Sequence, residues 1–356
     1  MSASFSTERI DQTLERFRAF LRGDQREALV TVHAAFEYRQ NPDPESVVAG
    51  ACAQIQADAA AVEPDVLPTF WPDFGTISTA KLWGGKILTA SHGGGVHIEP
   101  VAPTLPELAK LSLRQTFEES DYQQALLLYR RVCERLETDQ IFIRTPDFQG
   151  PLNTLALLTD QTELMCGLYE EPELVEHALD QVTDTLVAYV QRFRQAVGPA
   201  KVIGNIWPFV SLPDGQGVGI TQDYMPLLGA ELYERFELPR LKRIADAFGG
   251  VYIHCCGEYA QHLPALARAD FKIWGMEVHY PYTKLWDVYA ALGDRIAYTP
   301  YVAAGDANFP TLGDFCRELA CRDCAAARYW LAQCAGWCDI AELRRACAGL
   351  GSRSKD

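Results

Sequence analysis

Short apolar runs alternate with longer amphipathic stretches along most of the chain, and the two kinds of segment differ in period. The runs Leu67–Trp71, Gln140–Arg144, Lys201–Ile206, Gly250–Cys255, Lys272–Val278, Arg295–Val302 and Arg328–Cys334 have strand length and strand composition. Between them lie helical patterns. The clearest is PELVEHALDQVTDTLVAYVQRFRQAV, where Leu174, Ala178, Val182 and Leu186 recur every four residues and charged residues take the other faces. Pro172 suits the first turn of that helix. Strands alternating with helices predict an α/β fold with a parallel sheet, and the spacing of the units fits a closed (β/α)8 TIM barrel better than an open sheet. No GxGxxG follows a strand; the GGGVH at 93–97 lacks the spacing of a dinucleotide loop. Residues 1–60 read as an N-terminal helical extension, with NPDPES marking a turn and Asp43 or Ser46 available as a cap, and residues 61–356 as the barrel. No Pro/Gly/Ser linker divides the chain, and no repeat of solenoid length occurs.

Charge narrows the range of partners. With 356 residues, 48% of them hydrophobic, the chain can bury a large core, and a formal net charge of −15 would repel nucleic acid and anionic membranes. The amino-terminal segment has no apolar signal region, and no run has the roughly 18 apolar residues of a membrane span, so a cytoplasmic protein is expected. The eleven cysteines then read as reduced thiols, some of them ligands. Cys321 and Cys324 form a CxxC within an expected helix, where i, i+3 cysteines are as readily helix-face residues as ligands, and no second CxxC accompanies them.

Candidate chemistry concentrates at one strand end. In YIHCCGEY, alternation puts His254 and Cys256 on one face of the strand and Cys255 on the other, with Gly257 turning the chain. In a barrel both would project at the C-terminal rim, where barrel enzymes keep their active sites. Imidazole and thiolate are natural zinc ligands, and a catalytic zinc takes three protein groups and leaves a position open. Cys334, at the end of another apolar run, is the candidate third ligand, with Cys338 in reserve. Glu277 and His279 end the strand between them and could fill the open position or orient a ligand; Glu277 could equally accept a proton or cap a neighbouring helix. Asp147 and Gln149 follow one expected strand and Asn205 and Trp207 another, as pocket walls or as loop hydrogen bonds. Tyr280, with Trp71, Phe74 and Tyr282, could line an aromatic pocket or fill the core. A buried cysteine is also ordinary core filling, so the spacing alone leaves zinc open.

The stretch YERFELPRLKRIADAFGGVYIHCCG resembles the uroporphyrinogen decarboxylase superfamily, in particular its zinc-dependent corrinoid methyltransferases, whose His-x-Cys-Gly motif binds zinc. ARYWLAQC resembles the last barrel strand of that group, and FWPDFGTISTAKLWGG, DFQGPLNTLALL and EEPELVEHALDQVTDT are similar to further segments of it. The resemblance implies zinc bound by His254, Cys256 and Cys334, and methyl transfer between a small molecule, thiol or methoxy compound, and a corrinoid (methylcobalamin) carried by a partner protein. The decarboxylase branch carries an arginine-rich motif near its N-terminus, where this chain reads HAAFEYRQNPDPES. Decarboxylation of a porphyrinogen-like acid is therefore the second expectation, with Arg144 the arginine best placed to meet a carboxylate. The third is a non-catalytic barrel with a structural zinc.

Overall fold

The computed structural model describes residues 6–33, 43–60, 65–72, 74–89, 96–205, 209–303, 305–334 and 339–351, with the backbone alone for residues 33, 89, 96, 97, 205 and 334. Its strands are β1 (Leu29–His33), β2 (Thr69–Phe70), β3 (Lys86–Thr89), β4 (Val96–Glu99), β5 (Phe142–Thr145), β6 (Val202–Asn205), β7 (Val218–Thr221), β8 (Val251–His254), β9 (Ile273–Tyr280), β10 (Ala297–Val302) and β11 (Arg328–Cys334). All the expected strands are present within a few residues of their predicted bounds, and the expected helix spans Pro172–Val197.

One sheet runs in the order β1-β11-β10-β9-β8-β7, a second in the order β2-β5-β6, and every pairing in both is parallel. A parallel bridge from Gln149 to Thr221 joins the two sheets. Helices such as Pro172–Val197 and Leu238–Phe248 connect the strands, so the chain is α/β with a curled parallel sheet. Among the described residues no ladder joins β1 to β2, so the observed pairing stops short of a closed ring. β3 and β4 form a separate antiparallel hairpin.

The strands are apolar because helices cover them. All four residues of β5, β7 and β8 are buried, as expected of a sheet wrapped on the outside and filled on the inside. Trp330 on β11 packs against Phe17 and Phe20 of the helix Thr7–Arg22, with ring centroids 4.8 and 5.7 Å away. Arg328, at the start of β11, donates to the carbonyls of Phe20 and Leu21, which satisfies the last turn of that helix before Gly23 ends it at φ 90°.

Residues 1–60 were expected to be helical, and they also contain β1, paired along its length with β11 from Leu29↔Trp330 to His33↔Cys334. Five residues are too few for the LVTVH alternation to stand out beside two long helical patterns. β7 was also unforeseen: glycines at 215, 217 and 219 break its apolar run and mark it as a turn.

Candidate metal centre

Register builds the centre. On β8 and β9, His254, Glu277 and His279 occupy the last inward positions, above a layer in which Tyr252 lies over Gly275 and donates to or accepts from Thr299 Oγ1 at 2.7 Å. Gly275 is required there. A Cβ would lie 2.2 Å from the Tyr252 ring, so any larger residue would push β8 away from β9.

Glu277 is 1% exposed and ties the two histidines together. One oxygen meets Nδ1 of His254 at 2.9 Å, and the other meets Nε2 of His279. Burial alone would raise the Glu277 carboxyl, but the two imidazoles outweigh it and hold its pKa at about 2. Burial likewise opposes a charged His254, and Glu277 together with the Cys256 sulfur overcomes it, raising that histidine well above its ordinary value. Glu277 is thus a fixed buried anion that takes one N–H from each ring.

That arrangement sets the tautomer of His254. With Nδ1–H directed to Glu277, Nε2 is the nitrogen turned towards Cys256 Sγ, 3.1 Å away, and it is the one that could give its lone pair to a metal on losing its proton. One ligand atom from each of His254, Cys256 and His279 lies within 4.8 Å of the other two. Tetrahedral zinc separates a nitrogen and a sulfur ligand by about 3.5 Å, from the usual Zn–N and Zn–S lengths, so the observed pair needs to open only slightly. An imidazole donor set whose other ring nitrogens are anchored on a carboxylate also has the support that zinc ligands normally carry.

The loop after β8 is held from two sides. The Cys256 backbone N–H donates to Asp223 Oδ1 at 2.9 Å, and the same oxygen lies 3.7 Å from His254 Nε2. Opposite, Tyr259 O–H donates to the Glu277 carbonyl at 2.9 Å, and Thr283 Oγ1 donates to the Gly257 carbonyl at 3.0 Å. Cys256 is exposed, whereas Cys255 points into the core, where burial pushes its thiol pKa far up. Tyr301 on β10 stacks on His279 at 4.7 Å with ring planes 14° apart.

The remaining expected residues fall in several places. Cys334 ends β11 at the same edge of the sheet, but its side chain, like Cys338, lies outside the described residues. Trp207 and the side chain of Asn205 also lie outside them. Asp147 and Gln149 are buried and bonded to each other, and Gln149 accepts from Asn153 Nδ2 at 2.9 Å, so they form a buried network after β5. Tyr280, expected in the pocket wall, follows His279 by one residue and so takes the opposite face, packing with Phe309 and Phe315 at 5.0 and 5.2 Å. Cys324 is buried and Cys321 exposed. Asp223 and Tyr301 were not singled out from the sequence; Asp223 comes two residues after the unrecognised β7, the only signal that could have marked it.

Arg144 is fully buried and its guanidinium is engaged within the fold. It donates to the carbonyls of Val210 at 2.9 Å and Phe209 at 3.0 Å and to Ser211 Oγ at 3.2 Å, with its central carbon 4.9 Å from the centroid of the Trp71 ring.

No curated protein matches the chain in sequence. A methyltransferase from Methanosarcina mazei has a similar structure, with a TM-score of 0.66 over 95% of this chain and 97% of that one, at 14% identity. A Listeria monocytogenes chain assigned to vitamin-B12-independent methionine synthase overlaps 98% of this chain and 95% of its own, at a TM-score of 0.45 and 11% identity. The family model described as uroporphyrinogen decarboxylase (URO-D) matches residues 73–297, a span that includes β5 to β9 with His254, Cys256 and Glu277. The parallel α/β frame and the length of that match together place this chain in the uroporphyrinogen decarboxylase (URO-D) family.

Proposed function

We propose that the protein is a zinc-dependent methyltransferase of the URO-D family, built on a closed (β/α)8 barrel, that moves a methyl group between a small molecule and a corrinoid carried by a partner protein. The observation that carries this reading is the His254–Glu277–His279 array with Cys256 Sγ 3.1 Å from Nε2 of His254. His254 and Cys256 are the first two zinc ligands and Cys334 the third, with His279 beside the position left for the small molecule. Zinc so bound lowers the pKa of a thiol or polarises a methyl ether oxygen at neutral pH.

The protein's own groups prepare that chemistry. Glu277 keeps Nδ1 of His254 protonated, which leaves Nε2, facing Cys256, as the nitrogen that would hold the metal. It holds His279 in the same way, and the Tyr301 ring fixes the plane of that imidazole. Asp223 anchors the backbone of Cys256, and Tyr259 and Thr283 hold the loop that follows. Decarboxylation of a polycarboxylate would call for cations converging on the substrate, and the guanidinium of Arg144 is committed to residues 209–211.

The test is spectroscopic. Purified protein is mixed with methylcobalamin and candidate thiols, or with cob(I)alamin and candidate methoxy compounds, while cobalamin absorbance is followed. The reading predicts conversion that stops when zinc is chelated and that is lost in His254→Ala and Cys256→Ala. Conversion at the full rate in either variant would refute it.

A further inference from the structure

A cavity of about 620 Å³ opens beside the metal centre, between the end of β10, the end of β11 and the helices Leu312–Ala320 and Ile340–Cys347. Its volume is that of a site for a small organic molecule. Tyr301 belongs to both places, lining this cavity and stacking on His279. Val302, Leu312 and Leu343 give it apolar walls.

Two polar features break those walls. Gln333, on β11, is 4% exposed, and its buried Nε2 has no hydrogen-bond acceptor among the described residues. A buried amide donor left unpaired is costly, so a guest that brings an acceptor recovers that loss. The second feature is charge: Asp339 and Glu342 line the cavity, and among the described residues no lysine, arginine or histidine does. Arg317 reaches Glu342 at 3.1 Å but is shared with Asp314, so the wall keeps its negative sign. Both helices begin near the cavity, which by itself would favour an anion. Their first turns are already capped, however, by Thr311, which accepts from the Asp314 N–H, and by Asp339, which accepts from the Glu342 N–H at 3.0 Å.

We propose that this cavity holds the body of the methyl-bearing small molecule and selects an uncharged or cationic compound with a hydrogen-bond acceptor over an anionic one. The guest's identity as a methyl donor rests on the function proposed above, whereas its charge preference rests on Gln333, Asp339 and Glu342 alone. Thiols that carry a sulfonate or carboxylate are disfavoured, and neutral methoxy compounds are favoured.

Three probes that share one skeleton test this: 4-methoxybenzyl alcohol, 4-methoxybenzylamine and 4-methoxybenzoate, titrated calorimetrically into the full chain. The alcohol and the amine should bind saturably, and the benzoate at least about tenfold more weakly. Gln333→Met, which keeps the bulk and removes the donor, should weaken the alcohol about fivefold. Glu342→Gln should narrow the disadvantage of the benzoate, and supplies the answer if Gln333→Met fails to fold. Equal binding of all three probes, no binding of the alcohol, or unchanged affinities in both variants would overturn the proposal. Zinc content separates this outcome from the proposed function: a chain without zinc that keeps the charge preference refutes methyl transfer and leaves the cavity assignment standing.

Discussion

Replacing Glu277 with Gln should weaken metal binding while leaving the fold in place. The carboxylate accepts from His254 Nδ1 at 2.9 Å and from His279 Nε2, and an amide can accept through only one of its two arms. One imidazole N–H would then face an NH2 group, and neither ring would sit beside a charge. Losing one charge-assisted hydrogen bond at a site that is 1% exposed costs about 1.5–3 kcal/mol. Outer partners of zinc-bound histidines typically contribute about 10–100-fold in affinity, which is the same range expressed as an equilibrium constant. Competition against a chromophoric chelator measures that affinity directly, and far-UV circular dichroism reports the fold. The expected result is zinc affinity lowered by about 10–100-fold with an unchanged spectrum. An affinity equal to that of the unsubstituted chain would show that Glu277 does not orient the ligand, and the account of the tautomer of His254 would fail.

Two further predictions concern stability. Glu237 is buried, accepts from the Leu152 N–H at 3.1 Å and from Gln222 Nε2 at 2.7 Å, and burial raises its carboxyl to about 7 against those hydrogen bonds. Below about pH 4.5 both folded and unfolded chains carry the proton; between there and pH 7 only the folded chain does, so stability falls as pH rises through that window, by about 3 kcal/mol. Glu237→Gln should remove that part of the slope when urea midpoints at pH 5 and pH 7.5 are compared, and an identical slope in both proteins would refute the assignment. Arg144→Met should cost about 2–5 kcal/mol in chemical denaturation, because it strands the buried carbonyls of Phe209 and Val210; a loss under about 1 kcal/mol would mean that water replaces the guanidinium there.

The sequence made the frame legible wherever local pattern and tertiary environment agree. The helix Pro172–Val197 shows its buried stripe in its own period, and β8 to β11 are apolar because both their faces are covered. β1 and β7 escaped although both are rich in β-branched residues: β1 is only five residues long and stands between helical patterns, glycines cross β7, and only their pairing with β11 and β8 completes them as strands. At the site, strand alternation was enough to pair His254 with Cys256 and to put Glu277 and His279 on a common face. It could not show that one carboxylate spans both imidazoles, since that depends on the shifted register between β8 and β9. Nor could it find Asp223, Tyr301 or Gln333, which acquire their meaning only from strands distant in sequence.

X-ray absorption at the zinc edge, on protein purified under reducing conditions with zinc present, tests the central claim most directly. The account predicts about one zinc per chain, with one imidazole nitrogen and two sulfurs in the inner shell and a fourth position filled by a light atom that a thiol substrate replaces. A shell made wholly of oxygen, or one closed by four protein ligands that no substrate alters, would contradict it.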